Sequence, residues 1–219
     1  PMVFEEIVGN SYMVGNREFS SGRSQLKIAA VDNKAGVKEI FYSLNNGEFI
    51  KYEKPVLLSD IMGTMNVKSY AVDNVNNRSQ SGASTESFSM PTIDITGPTL
   101  TYKLDGPKLL QRDTMWIGPS TKIHINAKDN EAGVSRVVYN INKSAETEYS
   151  APFTIEQSGH FLIKCTGFDN VDNLNFLSFE VGVDNVAPEI FYHFSVKPHK
   201  QVTENNENNL AEQLNTKKI

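Results

Sequence analysis

Apolar and polar residues alternate along most of the chain. In IHINAKD, Ile123, Ile125 and Ala127 alternate with His124, Asn126 and Lys128. A period of two marks a strand with one buried face. SRVVYNI sets Val137, Tyr139 and Ile141 against Arg136, Val138 and Asn140. HFLIKCTGFD sets Phe161, Ile163, Cys165 and Gly167 against Leu162, Lys164, Thr166 and Phe168, and Val67, Ser69 and Ala71 share a face earlier in the chain. Clusters of Asn, Asp and Gly separate these runs, as turns require. The pattern predicts no helix before residue 200. Short strands at this spacing predict an all-β chain of immunoglobulin-like β-sandwiches.

The pattern also repeats. LKIAAVDNKAGVKEIFYSLNNGEFIKYEKP, from Leu26, aligns without a gap with IHINAKDNEAGVSRVVYNINKSAETEYSAP, from Ile123. Asp32 pairs with Asp129, Gly36 with Gly133, Tyr42 with Tyr139 and Tyr52 with Tyr149, each at an offset of 97. One deletion later Gly63 pairs with Gly159, Asp73 with Asp169 and Asn77 with Asn173. MPTIDITGPTL, around Asp94 and Pro98, resembles GVDNVAPEI, around Asp184 and Pro188. A unit of this length is a small autonomous domain, longer than a solenoid repeat. The expected organisation is one module over 1–93, a second over 94–183, and over 184–219 the start of a third repeat with a polar tail. Pro in the Asp-x-x-x-Pro segments discourages helix and makes them linkers.

Composition narrows the function. The 219 residues are 39% hydrophobic and 21% charged, with a net charge of −5. That is too apolar for a wholly disordered chain. No run approaches the ~18 apolar residues of a membrane-spanning helix. Mild acidity without a Lys/Arg cluster argues against nucleic acid as a partner. The opening PMVFEEIVGN has no basic stretch followed by an apolar one, and the chain reads as a segment of a larger protein. Cys165 is the single cysteine, so it forms no internal disulfide; on an inward face it reads as a small buried thiol. No G-x-S-x-G, H-E-x-x-H, P-loop or dinucleotide fingerprint occurs, and a non-enzymatic chain is expected.

The order AAVDNKAGV at 29–37, FYSLNNGEFIKYEKP at 41–55 and YAVDNVNN at 70–77 recurs as NAKDNEAGV, VYNINKSAETEYSAP and GFDNVDN. This series resembles the bacterial Ig-like repeats of the OmpL47-type family. It resembles more loosely the Ig-like modules of secreted bacterial glycoside hydrolases. The resemblance covers about residues 1–190. It implies extracytoplasmic spacer or adhesion modules of a cell-envelope or secreted protein. The partners it implies are neighbouring domains of the same chain, envelope proteins or glycans.

Two sets of residues are candidates for chemistry. In an Ig-like sandwich the loop with Asp129, Asn130 and Glu131 and the loop with Asp169, Asn170, Asp172 and Asn173 lie at one end, and the linker with Asp94 approaches it. Asp94, Asp129, Asp169 and Asp172 are therefore candidate calcium ligands, since Ca²⁺ takes six to eight oxygens. The alternative is that Asp and Asn hold turns by accepting backbone N–H bonds. Trp116 and Tyr102 are candidates for a sugar-stacking platform, which would make the chain a carbohydrate-binding accessory module. The alternative is that both rings serve packing.

Overall fold

A computed structural model describes residues 1–79 and 90–193. Every regular element among them is a strand. The first set is β1 (Met2–Val8), β2 (Ser11–Val14), β3 (Arg17–Ser21), β4 (Gln25–Val31), β5 (Val37–Leu44), β6 (Ile50–Lys51), β7 (Val56–Leu57), β8 (Gly63–Thr64), β9 (Val67–Asp73) and β10 (Thr92–Asp94). The second is β11 (Thr99–Asp105), β12 (Lys108–Gln111), β13 (Thr114–Ile117), β14 (Lys122–Lys128), β15 (Val134–Ile141), β16 (Thr147–Glu148), β17 (Gly159–Asp169) and β18 (Leu174–Val183).

The second set is an Ig-like sandwich. One sheet runs β12-β13-β18-β17-β15-β16, and β11-β14 forms the opposing sheet, with Phe153 bridged to Ile123 at its margin. β13 pairs with β18 in parallel, Trp116 opposite Gly182. The chain therefore starts in one sheet and crosses to the other before β13. Gly106 makes the crossing with φ 138, and a Cβ there would stand 2.9 Å from the Thr121 backbone. Only glycine adopts this conformation without strain.

The first set repeats the plan. The sheets are β1-β4-β7, β2-β3-β10-β8 and β6-β5-β9, and β3 pairs in parallel with β10, Phe19 opposite Thr92. The match reaches local irregularities. A register shift lies between Val37 and Glu39, and its counterpart between Val134 and Arg136. Asn45 and Asn46 have φ of 51° and 62°, and Asn142 and Lys143 have 50° and 64°. Two successive left-handed residues make the hairpin turn that suits twisted strands.

Each sandwich has its own apolar core. Leu26, Ile28, Tyr42, Leu58, Met65 and Ile93 fill the first. Ile123, Ile125, Val137, Ile163, Cys165, Phe179 and Val181 are among those filling the second. The inward faces foreseen from alternation at Ile123, Ile163 and Cys165 are the buried ones. Burying one such Leu or Ile side chain contributes about 1.5–3 kcal/mol. Tyr42 meets Tyr52 edge to face at 6.1 Å, and Tyr139 meets Tyr149 at 6.3 Å, so the recurrent tyrosines pack against each other. Residues 184–193 form no regular strand. The rest of the expected third repeat, and the polar tail, lie outside the described residues.

Candidate functional site

The acidic loops form at the end of the second sandwich that faces the first. Asp129 closes the loop between β14 and β15. Its Oδ1 accepts the N–H groups of Glu131 and Gly133, both at 2.9 Å. Asp169 closes the loop between β17 and β18. Its Oδ1 accepts from the N–H groups of Val171 at 2.9 Å and Asn173 at 2.7 Å, and its Oδ2 from Asn173 Nδ2 at 2.8 Å. The Asn170 amide donates to the Ala132 carbonyl at 2.8 Å and ties the two loops together. Turn-holding by Asp and Asn is thus present at both loops.

The linker carboxylate enters between them. Asp94 is fully buried at the end of β10. Its Oδ1 accepts the Thr96 N–H at 2.9 Å and its Oδ2 the Ala132 N–H at 2.9 Å. Its backbone carbonyl accepts from Gly22 N–H at 3.1 Å and Asn173 Nδ2 at 3.0 Å. One residue therefore joins the first sandwich, the linker and both loops of the second.

Asp94, Asp129 and Asp169 each place a carboxylate oxygen within 4.8 Å of the others. Among the described residues no Lys or Arg forms an ion pair with any of the three. Burial pushes the Glu131 carboxyl above its usual range, with its hydrogen bond to Asp94 and the Asp94 charge adding to the rise. Burial likewise raises Asp169, against the hydrogen bonds from Asn173 and Val171, and the charge of Asp94 acts in the same upward direction. Asp172 stands outside this group. It adopts φ 64, and its carboxylate accepts from the Asn10 side chain of the first sandwich.

The contact between the sandwiches has an apolar centre. Phe19 is 4% exposed, against Ala132 and Val171, both 0% exposed. Arg23 Nη2 donates to the Val171 carbonyl at 2.9 Å and Nη1 to Asn173 Oδ1 at 3.4 Å. Thr96 Oγ1 donates to Glu131 Oε2 at 3.2 Å. A Cβ on Gly97 would stand 2.4 Å from the Leu174 carbonyl carbon, so the linker backbone lies directly on the start of β18. Phe19, Arg23 and Val171 carried no signal at the level of motifs. The sign available was an aromatic residue in β3 beside a run of small residues, FSSG.

The two aromatic candidates lie apart. The Tyr102 ring stacks on Phe179 with centroids 3.8 Å apart and planes at 2°. Trp116 lies over Gly182, where a Cβ would be 2.7 Å from the indole, and meets His160 edge-on at 5.1 Å. Trp116 lines a groove of about 440 Å³ with Leu109, Gln111, Arg112, Thr114 and Asp184. Tyr102 is not among its lining residues.

No family model matches the chain, and no curated protein does. Solved structures that match the chain include the fibronectin(III)-like modules of Clostridium thermocellum CbhA. That likeness has a TM-score of 0.36 and 17% identity, over 88% of this chain and 100% of that one. Another is a structure bearing on host cell surface retention of a 1.5-MDa bacterial ice-binding adhesin. Its TM-score is 0.43 with 12% identity, over 85% of this chain and 66% of that one. No helix among the described residues is long and apolar enough to cross a membrane.

Proposed function

We propose that the chain is a pair of non-catalytic Ig-like spacer modules, spanning 1–93 and 94–183, of a larger extracytoplasmic bacterial protein of the adhesin or envelope class. The observation that carries this reading is the junction. Asp94, Arg23 and Phe19 bind the second sandwich's loops through hydrogen bonds and apolar contact together, so the linker is braced on both sides. Braced modules in series set reach and angle, which a flexible linker would not. The resemblance to OmpL47-type repeats agrees with this role. Small-angle scattering tests it: a single elongated particle is expected, and a compact globe or a freely jointed pair overturns it.

A second reading concerns the same junction. Among the described residues Asp94, Asp129 and Asp169 converge without an ion-pair partner, and Glu131 adds a fourth carboxylate. Hard oxygen donors in this number suit Ca²⁺. The chain's own residues would then hold the ion, and the ion would offset the repulsion among the carboxylates. Millimolar calcium is expected to raise the melting temperature, a chelator to reverse it, and Asp129→Asn to remove it. No calcium-dependent shift leaves turn-holding as the whole role of these residues.

A further inference from the structure

The junction between the sandwiches is built from one face of the first and one end of the second. Among the described residues, the internal repeat supplies a copy of each that no module covers. Trp116 occupies in the second sandwich the position of Phe19 in the first, opposite Gly182 as Phe19 is opposite Thr92. Gly118 and Pro119 take the places of Ser21 and Gly22. Ser21 and Gly22 are buried at the junction, whereas Pro119 is exposed and Trp116 and Gly118 are half-buried. Asp184 stands where Asp94 does. Its Oδ1 accepts the Val186 N–H at 2.9 Å, as Asp94 accepts that of Thr96, and its N–H donates to the Ile117 carbonyl at 3.1 Å.

Among the described residues, the other half of the joint has no module packed on it, at the opposite end of the pair. Val75 corresponds to Val171 and is 66% exposed, where Val171 is 0% exposed. Ala35 corresponds to Ala132 and is half-buried. The Ala35 N–H donates to Asp32 Oδ1 at 2.7 Å, whereas the Ala132 N–H has left its own loop for Asp94. The two copies of this loop thus differ in where the N–H is bound, within the loop in the first sandwich and on the linker in the second.

We infer that the Trp116 face is a docking site for the Ala35 and Val75 loops of a further module of this type, joined head to tail through Asp184–Pro188. Resting on the spacer reading, it extends that reading from one joint to a series. The contact is heterologous, with different surfaces on its two sides, and the joint already present does not close it into a ring. Repeated, it builds a linear array. Charge favours it: Lys34 stands where Glu131 stands in the existing joint, so Asp184 would meet a cation in place of a carboxylate. The polar clamp differs, because Pro107 and Ser120 replace Asn10 and Arg23. Docking here rests on the indole, the Asp184 carboxylate and the high effective concentration given by the covalent linker.

Trp116 is the chain's single Trp, which makes it the probe. A fusion joins residues 1–187 to a second full copy, whose Pro1 takes the place of Pro188. Trp116→Phe in the added copy leaves one indole. The emission of Trp116 is expected to shift to shorter wavelength, and its quenching by acrylamide to fall several-fold relative to the unfused chain. Val75→Asp in the added copy, at an exposed position that leaves its own sandwich intact, restores the original quenching. Quenching equal in fused and unfused chains overturns the inference, as does protection that survives Val75→Asp. Protection of Trp116 by soluble oligosaccharides without protection by fusion overturns it in favour of a sugar platform. Scattering from the unfused chain tests the spacer reading separately, so the two failures are distinguishable.

Discussion

The carboxylate of Asp94 accepts the backbone N–H of Ala132 at 2.9 Å, across a separation of 38 residues. In the first sandwich the equivalent N–H, on Ala35, is held within its own loop by Asp32 at 2.7 Å. The linker thus completes a loop of the second sandwich that the first sandwich completes alone.

Removing that acceptor strands a buried donor. Asp94→Ala is expected to destabilise the second sandwich by about 1–3 kcal/mol, the cost of an unsatisfied buried N–H. Asp94→Asn keeps an acceptor oxygen and removes a charge from the carboxylate group, so it costs less. Urea unfolding followed by Trp116 fluorescence checks both. An unchanged midpoint for Asp94→Ala would mean that the linker is not part of the second fold.

Asp73 and Asp169 hold equivalent positions and accept the same set of hydrogen bonds, yet their carboxyls shift in opposite directions. At Asp169 burial dominates and the pKa lies above 3.8, with the charge of Asp94 adding to it. At Asp73 burial also pushes upward, but the hydrogen bonds from Asn77 and Val75 outweigh it and the pKa lies below 3.8. The lowered Asp73 contributes stability present above pH 3.8 and lost as pH falls through its folded-state pKa. The raised Asp169 contributes stability present below pH 3.8 and lost as pH rises through its folded-state pKa. Carboxyl NMR titration in a chelating buffer should order them Asp73 below Asp169. The reverse order would mean that burial and the Asp94 charge do not govern Asp169.

Cys165 is 1% exposed, and burial pushes its thiol up to about 11. A buried, protonated thiol is a poor nucleophile. Thiol reagents at pH 8 should leave Cys165 unmodified in the folded chain and label it only as urea unfolds the second sandwich. Rapid labelling under native conditions would refute its place as an inert core residue.

The strands, their inward faces and the repeat were legible in the sequence because each depends on local alternation and turn chemistry. A period of two marks the buried side of β14 and β17 without reference to any other strand. Asp129 and Asp169 were likewise visible, since each anchors its own loop. That Asp94 joins them follows from fold topology, which puts the linker at the same end as both loops. What tertiary structure alone decided is the joint. Asp172 has the same chemistry as Asp169 but meets Asn10 of the first sandwich, whereas its counterpart Asn76, with the same left-handed backbone, accepts from Lys38 within its own sandwich. Phe19 and Val75 look like ordinary strand and loop residues. Among the described residues one is covered and the other exposed, because packing between modules, which no local pattern encodes, decides which of these surfaces is buried.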